Sequence, residues 1–186
     1  MRELILGGQK SGKSRAAESR AGAWLAVPDR EALLIATAVA GDAEMTQRIE
    51  RHRRDRRSRV PMLQTVEVAG ELDDAIHRHS APGRLVIVDC LTLWLTQQLM
   101  PIEGEPANGS ELDARINGLV AASRAACGPL VFVSNEIGFG ISPLSAPVRD
   151  FVDRLGLLHQ AIAATCERVT LMVAGCELTV REPPHA

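Results

Sequence analysis

The chain has 186 residues, 46% hydrophobic and 24% charged, with a net charge of −2 and an isoelectric point near 6.2. This length suits one domain, here residues 1–186, and this composition can bury a core, so a disordered chain is excluded. The near-neutral charge excludes a global field for nucleic acid, and no apolar run approaches the ~20 residues of a membrane span.

The N-terminus passes from Met1-Arg2 into an apolar run, Glu3–Leu6, and straight into a glycine loop, which leaves no room for a secretory leader. The four cysteines, Cys90, Cys127, Cys166 and Cys176, show neither CxxC nor zinc spacing. A cytoplasmic protein with reduced, mostly buried thiols is the expectation.

Glu3–Leu6 reads as a strand, and GGQKSGKS follows it as Gly7, Gly8, Gln9, Lys10, Ser11, Gly12, Lys13 and Ser14. It fits G-x-x-x-x-G-K-[ST] between a strand and a helical pattern over Ser14–Leu25, the context that a phosphate loop requires. The glycines let backbone N–H groups curl around phosphate oxygens, and the helix N-terminus adds partial positive charge. Lys13 is expected to reach the β- and γ-phosphates and Ser14 to ligate Mg²⁺. Lys10 and Lys13 are the only lysines among 21 basic residues. A thin ammonium stem fits between phosphates where a planar guanidinium does not.

A second, weaker strand is read over Ala32–Ala36. Asp42 is placed to cap a helix from Ala43 to about Arg57, with Met45, Ile49, His52 and Arg56 on one stripe. The segment Arg48–Arg59 holds seven arginines. On residues alone it reads as a solvated face or a nucleic-acid patch, with a chemical role for His52 as a further option. Imidazole is a competent nucleophile near neutral pH, and neighbouring arginines can neutralise an attacked phosphate.

The strand Leu85–Asp89 ends in Asp89, the best acidic partner for a metal beside Ser14; a helix cap is the alternative reading. LTLWL after it is helical or looped. Pro101–Ser110 reads as a surface loop, and Glu111–Cys127 as a helix carrying Leu112, Ile116, Leu119 and Val120. The strand Leu130–Ser134 runs into Asn135 and Glu136, where a parallel sheet binds ligands, and Gly138 and Gly140 permit tight turns. A helix over Ala146–Thr165 carries Val148, Phe151, Val152, Leu155, Leu158 and Ile162 as a broad apolar face, and a strand over Val169–Ala174 follows. His77, His79, His159 and His185 have less distinctive surroundings. Strands alternating with helices predict an α/β doubly wound, mostly parallel sheet flanked by helices.

With GGQKSGKSRAAE, IATA, DAEMTQRIERHR, VDCLTLWLT, SNEIGFGISP and RDFVDRLGLLHQ in place, the chain resembles the bifunctional adenosylcobinamide kinase/adenosylcobinamide-phosphate guanylyltransferases of cobalamin biosynthesis. The combination of EMxxRIxxHR and NExGxGIxP is far more specific than the phosphate loop. The resemblance implies a RecA-like P-loop fold and two reactions. ATP or GTP phosphorylates the adenosylcobinamide hydroxyl, and GMP then passes from GTP to that phosphate through a GMP-histidine intermediate, with pyrophosphate released. The histidine maps to His52. Nucleotide contacts map to Gly7–Ser14, to Ala36, Thr37 and Ala38, to Arg53, Arg54, Asp55 and Arg56, and to Glu67 and Asp89.

The resemblance also implies a homotrimer, with the corrinoid and the nucleotides as partners rather than nucleic acid. The chain departs from the family pattern at Leu63, in the length of the His52–Glu67 segment, and at His159, where GLLHQ stands in place of GRxNQ. Two other readings stay open on residues alone: a small-molecule kinase with no covalent step, and a nucleotide-dependent RNA-binding module using the Arg48–Arg59 cluster.

Overall fold

In the computed structural model, which describes residues 1–182, the chain runs β1 (Arg2–Gly7), α1 (Lys13–Leu25), β2 (Glu31–Ala36), α2 (Ala43–Arg59), β3 (Gln64–Glu67), α3 (Leu72–His79), β4 (Arg84–Asp89), α4 (Leu91–Leu99), α5 (Gly109–Ala125), β5 (Leu130–Val133), α6 (Ala146–Ala163), β6 (Arg168–Val173) and β7 (Cys176–Arg181). The seven strands form one sheet in the order β3-β2-β4-β5-β1-β6-β7. Every pairing is parallel except β6 with β7. His185 lies outside the described residues.

Central strands such as LVIV and LVFV lack polar alternation because both their faces are covered. Alternate residues then divide between two apolar layers. Leu4, Ile35, Val88 and Phe132 pack with Trp94, Leu112, Leu155 and Leu158 from the helices on one face. Ile5, Leu34, Ile87 and Val131 pack with Ala16, Ala17 and Ala21 of α1 on the other. The alanines of α1 let that helix lie close to the sheet, directly behind the phosphate loop.

Several boundaries differ from the sequence reading. Helix α5 starts at Gly109, inside the expected Pro101–Ser110 loop, because Asn108 accepts from the Glu111 N–H and the Glu111 side chain accepts from the Asn108 N–H. LTLWL is helical, and Ala32–Ala36 is a buried inner strand rather than a marginal one. Three elements had not been expected. Two of them, β3 and β7, are edge strands whose largely exposed residues give little apolar signal. The third, α3, is an eight-residue helix whose Leu72, Ala75 and Ile76 do fall at helical spacing. Cys90 and Cys166 are buried, but Cys127 and Cys176 are exposed because they lie in a turn and at the start of an edge strand; all four are free. Among the described residues, no helix is long and apolar enough to cross a membrane.

One buried carboxylate ties the strand under the phosphate loop to its surroundings. Glu3 on β1 accepts from Arg20 of α1 at 3.0 Å and from Thr170 of β6 at 2.8 Å. Arg20 also reaches Glu177 of β7 at 2.7 Å. Glu3→Ala is expected to lower the free energy of unfolding by roughly 3 kcal/mol in urea titrations, with a smaller loss for Glu3→Gln, which keeps an acceptor for Thr170.

Candidate active site

The carboxyl ends of β1, β5 and β4 lie side by side and carry the phosphate loop, Asn135-Glu136 and Asp89. The strand bearing Asp89 is separated from the phosphate-loop strand by β5. This opens a crevice of the kind that binds ligands in α/β sheets.

Backbone geometry shapes the loop. A Cβ on Gly7 would stand 2.5 Å from the Met172 carbonyl oxygen, so only glycine permits that approach. Gly12 precedes α1 at φ 105°, in the left-handed region. The Gly7 carbonyl accepts from the Glu136 N–H and the Ser11 carbonyl from the Gly175 N–H, each at 2.9 Å. Lys13 is buried and donates to the Gly8 carbonyl at 2.7 Å. Burial holds the Lys13 ammonium below its ordinary pKa; the Asp89 carboxylate opposes that shift and Arg48 reinforces it. The Cys90 thiol next to Asp89 is pushed up to about 12 by burial. It is therefore uncharged at neutral pH and leaves Asp89 as the nearby anion.

Helix α2 forms the facing wall of a cavity of about 750 Å³. Asp42 caps it by accepting from the Met45 N–H at 2.7 Å. The expected stripe holds: Met45, Ile49, His52 and Arg56 are among its least exposed residues. The helix has almost no apolar face, so polar contacts dock it. Arg59 pairs with the buried Glu18 of α1, Arg56 donates to Thr65 at 2.9 Å, and Arg53 pairs with Glu67. With its amide oxygen turned toward Arg48, Gln9 accepts from that guanidinium at 2.7 and 2.9 Å, which joins the phosphate loop to α2.

His52 faces this cavity between Arg48 and Arg56, one helical turn on either side. Burial holds its pKa below the ordinary 6.5; Arg48, Arg56 and Arg51 act in the same direction and Asp89 opposes them. The ring is therefore neutral at physiological pH and keeps a lone pair for attack. Arg56 is itself buried, and its Nε has no hydrogen-bond partner among the described residues. A buried donor of this kind, aligned with an arginine cluster, matches a phosphate oxygen.

The structure brings Gln9, Lys10, Gly12, Lys13, Ser14, Ala36, Ala38, His52, Arg53, Asp55, Arg56, Glu67 and Asp89 to one cavity. Five expected contacts stand elsewhere. Gly7 and Ser11 are buried within the loop, and Gly8 is exposed with its carbonyl accepting from Lys13. Thr37 is fully buried, donating to the Cys90 carbonyl at 2.7 Å and accepting from the Cys90 N–H at 2.8 Å, so its hydroxyl positions the chain next to Asp89. Arg54 is exposed on α2 outside the cavity wall. Arg48 and Thr65 line the cavity and had not been singled out. The signal for Arg48 was present, since it precedes His52 by four residues.

The donor set fits Mg²⁺. Ser14 and Asp89 both line the cavity, and the Asp89 side chain makes no hydrogen bond or ion pair among the described residues. No cluster of three or more His, Cys, Asp or Glu able to hold a metal occurs among those residues. One hydroxyl and one carboxylate suit an ion that takes its remaining ligands from phosphates and water.

Comparison with known proteins points the same way. The model of the family described as cobinamide kinase / cobinamide phosphate guanyltransferase matches residues 3–180. The bifunctional adenosylcobalamin biosynthesis protein CobP of Pseudomonas aeruginosa is 42% identical over 185 residues, 99% of each chain. The bifunctional adenosylcobalamin biosynthesis protein CobU of Escherichia coli is 34% identical, over 96% of this chain and 98% of that one. Among solved structures, one ATPase domain superposes with a TM-score of 0.50 at 15% identity, covering 91% of this chain and 68% of that chain. That likeness shows the fold alone, and the fold agrees with the expected RecA-like sheet.

An NMR titration of the His52 ring is expected to give a midpoint below 6.5. Asp89→Asn should move it lower still, because the carboxylate stabilises the imidazolium; an upward move would contradict this reading of the site's field.

Proposed function

The chain belongs to the cobinamide kinase / cobinamide phosphate guanyltransferase family, and from that premise we propose that the cavity between the phosphate loop and α2 serves both reactions, one at each end of a bound triphosphate. The observation that carries this reading is that a half-buried, neutral His52 and the unpartnered Nε of Arg56 share one cavity with Lys13 and Asp89.

In the first reaction the γ-phosphoryl group of ATP or GTP passes to the adenosylcobinamide hydroxyl. Lys13 stabilises the charge that spreads over the transferring group, and the backbone N–H groups of the loop hold the phosphates in line. Ser14 and Asp89 would hold Mg²⁺, which when bound neutralises phosphate charge.

In the second reaction a ring nitrogen of His52 attacks the α-phosphorus of GTP. The bond from that phosphorus to the bridging oxygen breaks, and pyrophosphate leaves with the electron pair. Arg48 and Arg56 flank the attacked phosphate and neutralise its developing charge. An oxygen of the corrinoid phosphate then attacks the GMP phosphorus, the phosphorus–nitrogen bond breaks, and His52 returns as free imidazole. Arg53, Asp55 and Glu67 supply the nucleotide contacts farther along the same wall, and Ala36 and Ala38 bring the backbone at the end of β2 into reach.

The proposal treats residues 1–186 as one domain that assembles as a homotrimer. Support for assembly comes from large apolar side chains left outside the core after β5: Phe139 is 81% exposed, Ile141 99% and Leu144 100%.

Incubation with GTP labelled at the α-phosphate is expected to label the protein at His52, and His52→Ala should abolish that label. Label that persists in the variant would falsify the assignment of the nucleophile. The labelling rate should rise with pH through the depressed His52 midpoint and then level off, because only the unprotonated ring attacks. Separately, Lys13→Ala is expected to weaken triphosphate binding about 10-fold or more in equilibrium titrations, and unchanged affinity would remove Lys13 from the site.

A further inference from the structure

The end of β5 is held from behind by side chains that neither reaction, as described, employs. Asn135 lines the cavity and donates its backbone N–H to Thr92 Oγ1 at 2.8 Å. The Thr92 and Ser134 hydroxyl oxygens are 2.9 Å apart, and Ser134 Oγ is 2.7 Å from His159 Nε2. The other ring nitrogen, Nδ1, stands 3.6 Å from the Glu136 carboxylate, an electrostatic contact rather than a hydrogen bond. Thr92, Ser134 and His159 are all buried. The Glu136 backbone completes the circuit by donating to Gly7 at the start of the phosphate loop.

The donors and acceptors can be placed in one direction. An amide N–H only donates, so Thr92 Oγ1 accepts from Asn135, and its own proton is free to go to Ser134. Ser134 then donates to Nε2, which leaves the imidazole proton on Nδ1, facing the carboxylate. This arrangement needs a neutral ring. Burial supplies it by holding the His159 pKa below its ordinary value against the opposing carboxylate.

We propose that His159 is a positioning residue for phosphoryl transfer: through Ser134 and Thr92, and by its contact with Glu136, it sets the end of β5 in the gap between the phosphate loop and Asp89. The proposal rests on the functional reading above. Because β5 lies between β1 and β4, its end faces the place where Lys13, Ser14 and Asp89 meet the γ-phosphate. Helix α2, which carries His52, is docked to α1, β3 and the phosphate loop instead. None of its hydrogen bonds or ion pairs among the described residues reaches β5, α4 or α6. The relay therefore acts on the γ-phosphate end and leaves the histidine chemistry at the α-phosphate largely untouched.

His159→Leu keeps bulk and removes both ring nitrogens. It is expected to lower kcat for phosphorylation of the corrinoid hydroxyl about 10-fold, with KM for the nucleotide within about 3-fold and His52 labelling within about 2-fold of wild type. The His159→Gln amide can still accept from Ser134 and should restore most of the rate. Ser134→Ala cuts the relay at its other end, should reproduce the leucine defect, and serves as the test if His159→Leu does not fold. Wild-type kcat in both His159→Leu and Ser134→Ala overturns the proposal, as does an equal loss of phosphorylation and labelling, which indicates general damage. Relay-dependent phosphorylation in a protein whose His52 never takes up label sustains the relay and overturns the guanylyl-transfer reading instead.

Discussion

A helix with hardly any apolar surface is held over the phosphate loop by charge, and the proposed chemistry depends on that docking. Helix α2 buries only Arg56. Polar helices of this kind are marginal alone, so its position comes from its partners. Glu18 of α1 holds Arg59, Thr65 and Glu67 of β3 hold Arg56 and Arg53, and Gln9 of the loop holds Arg48. Helix α1 begins at Lys13 itself, so the phosphate loop and the histidine wall share one support. The short element β3, an edge strand with little apolar content, supplies two of these partners, Thr65 and Glu67.

The same contacts set the electrostatics. The cavity is lined by lysine and several arginines with Asp55, Glu67 and Asp89 among them, and Asp89 lies within the field of Lys13, His52 and Arg56 together. Its negative charge opposes the loss of charge from Lys13 and limits the depression at His52. A bound triphosphate would add the remaining negative charge. Burial has opposite uses for the imidazole and for the cations. It keeps the His52 ring neutral and nucleophilic, and it strips water from Lys13 and Arg56 so that their donors are directed at phosphate.

Strand order makes these parts meet. With β5 between the phosphate-loop strand and the Asp89 strand, three carboxyl ends converge, and the middle one can be braced from the opposite face of the sheet. Ser134 and His159 do this from β5 and α6, while Gly175 in the β6–β7 turn braces the loop from its other side. The Thr37 side chain, expected to touch nucleotide, is buried and engaged in this bracing instead, through two hydrogen bonds to the Cys90 backbone.

Much of this was legible in the chain. The phosphate loop announced itself because its glycines and lysine are contiguous and their roles are local. The parallel sheet showed in LVIV and LVFV because burial on both faces removes alternation, and the helix carrying His52 showed in Asp42 and the stripe that follows it. All of these depend on spacings of a few residues, which covalent geometry turns directly into structure. Other features were decided only by tertiary structure. They include the edge strands β3 and β7, the removal of Thr37 and Arg54 from the cavity, the orphaned donor of Arg56, and the burial of an inconspicuous His159 beside Ser134 and Glu136. In each case what matters is which side chains from distant segments share one small, water-poor space. Pairing, desolvation and pKa depend on that neighbourhood, and it exists only once the sheet has brought the segments together.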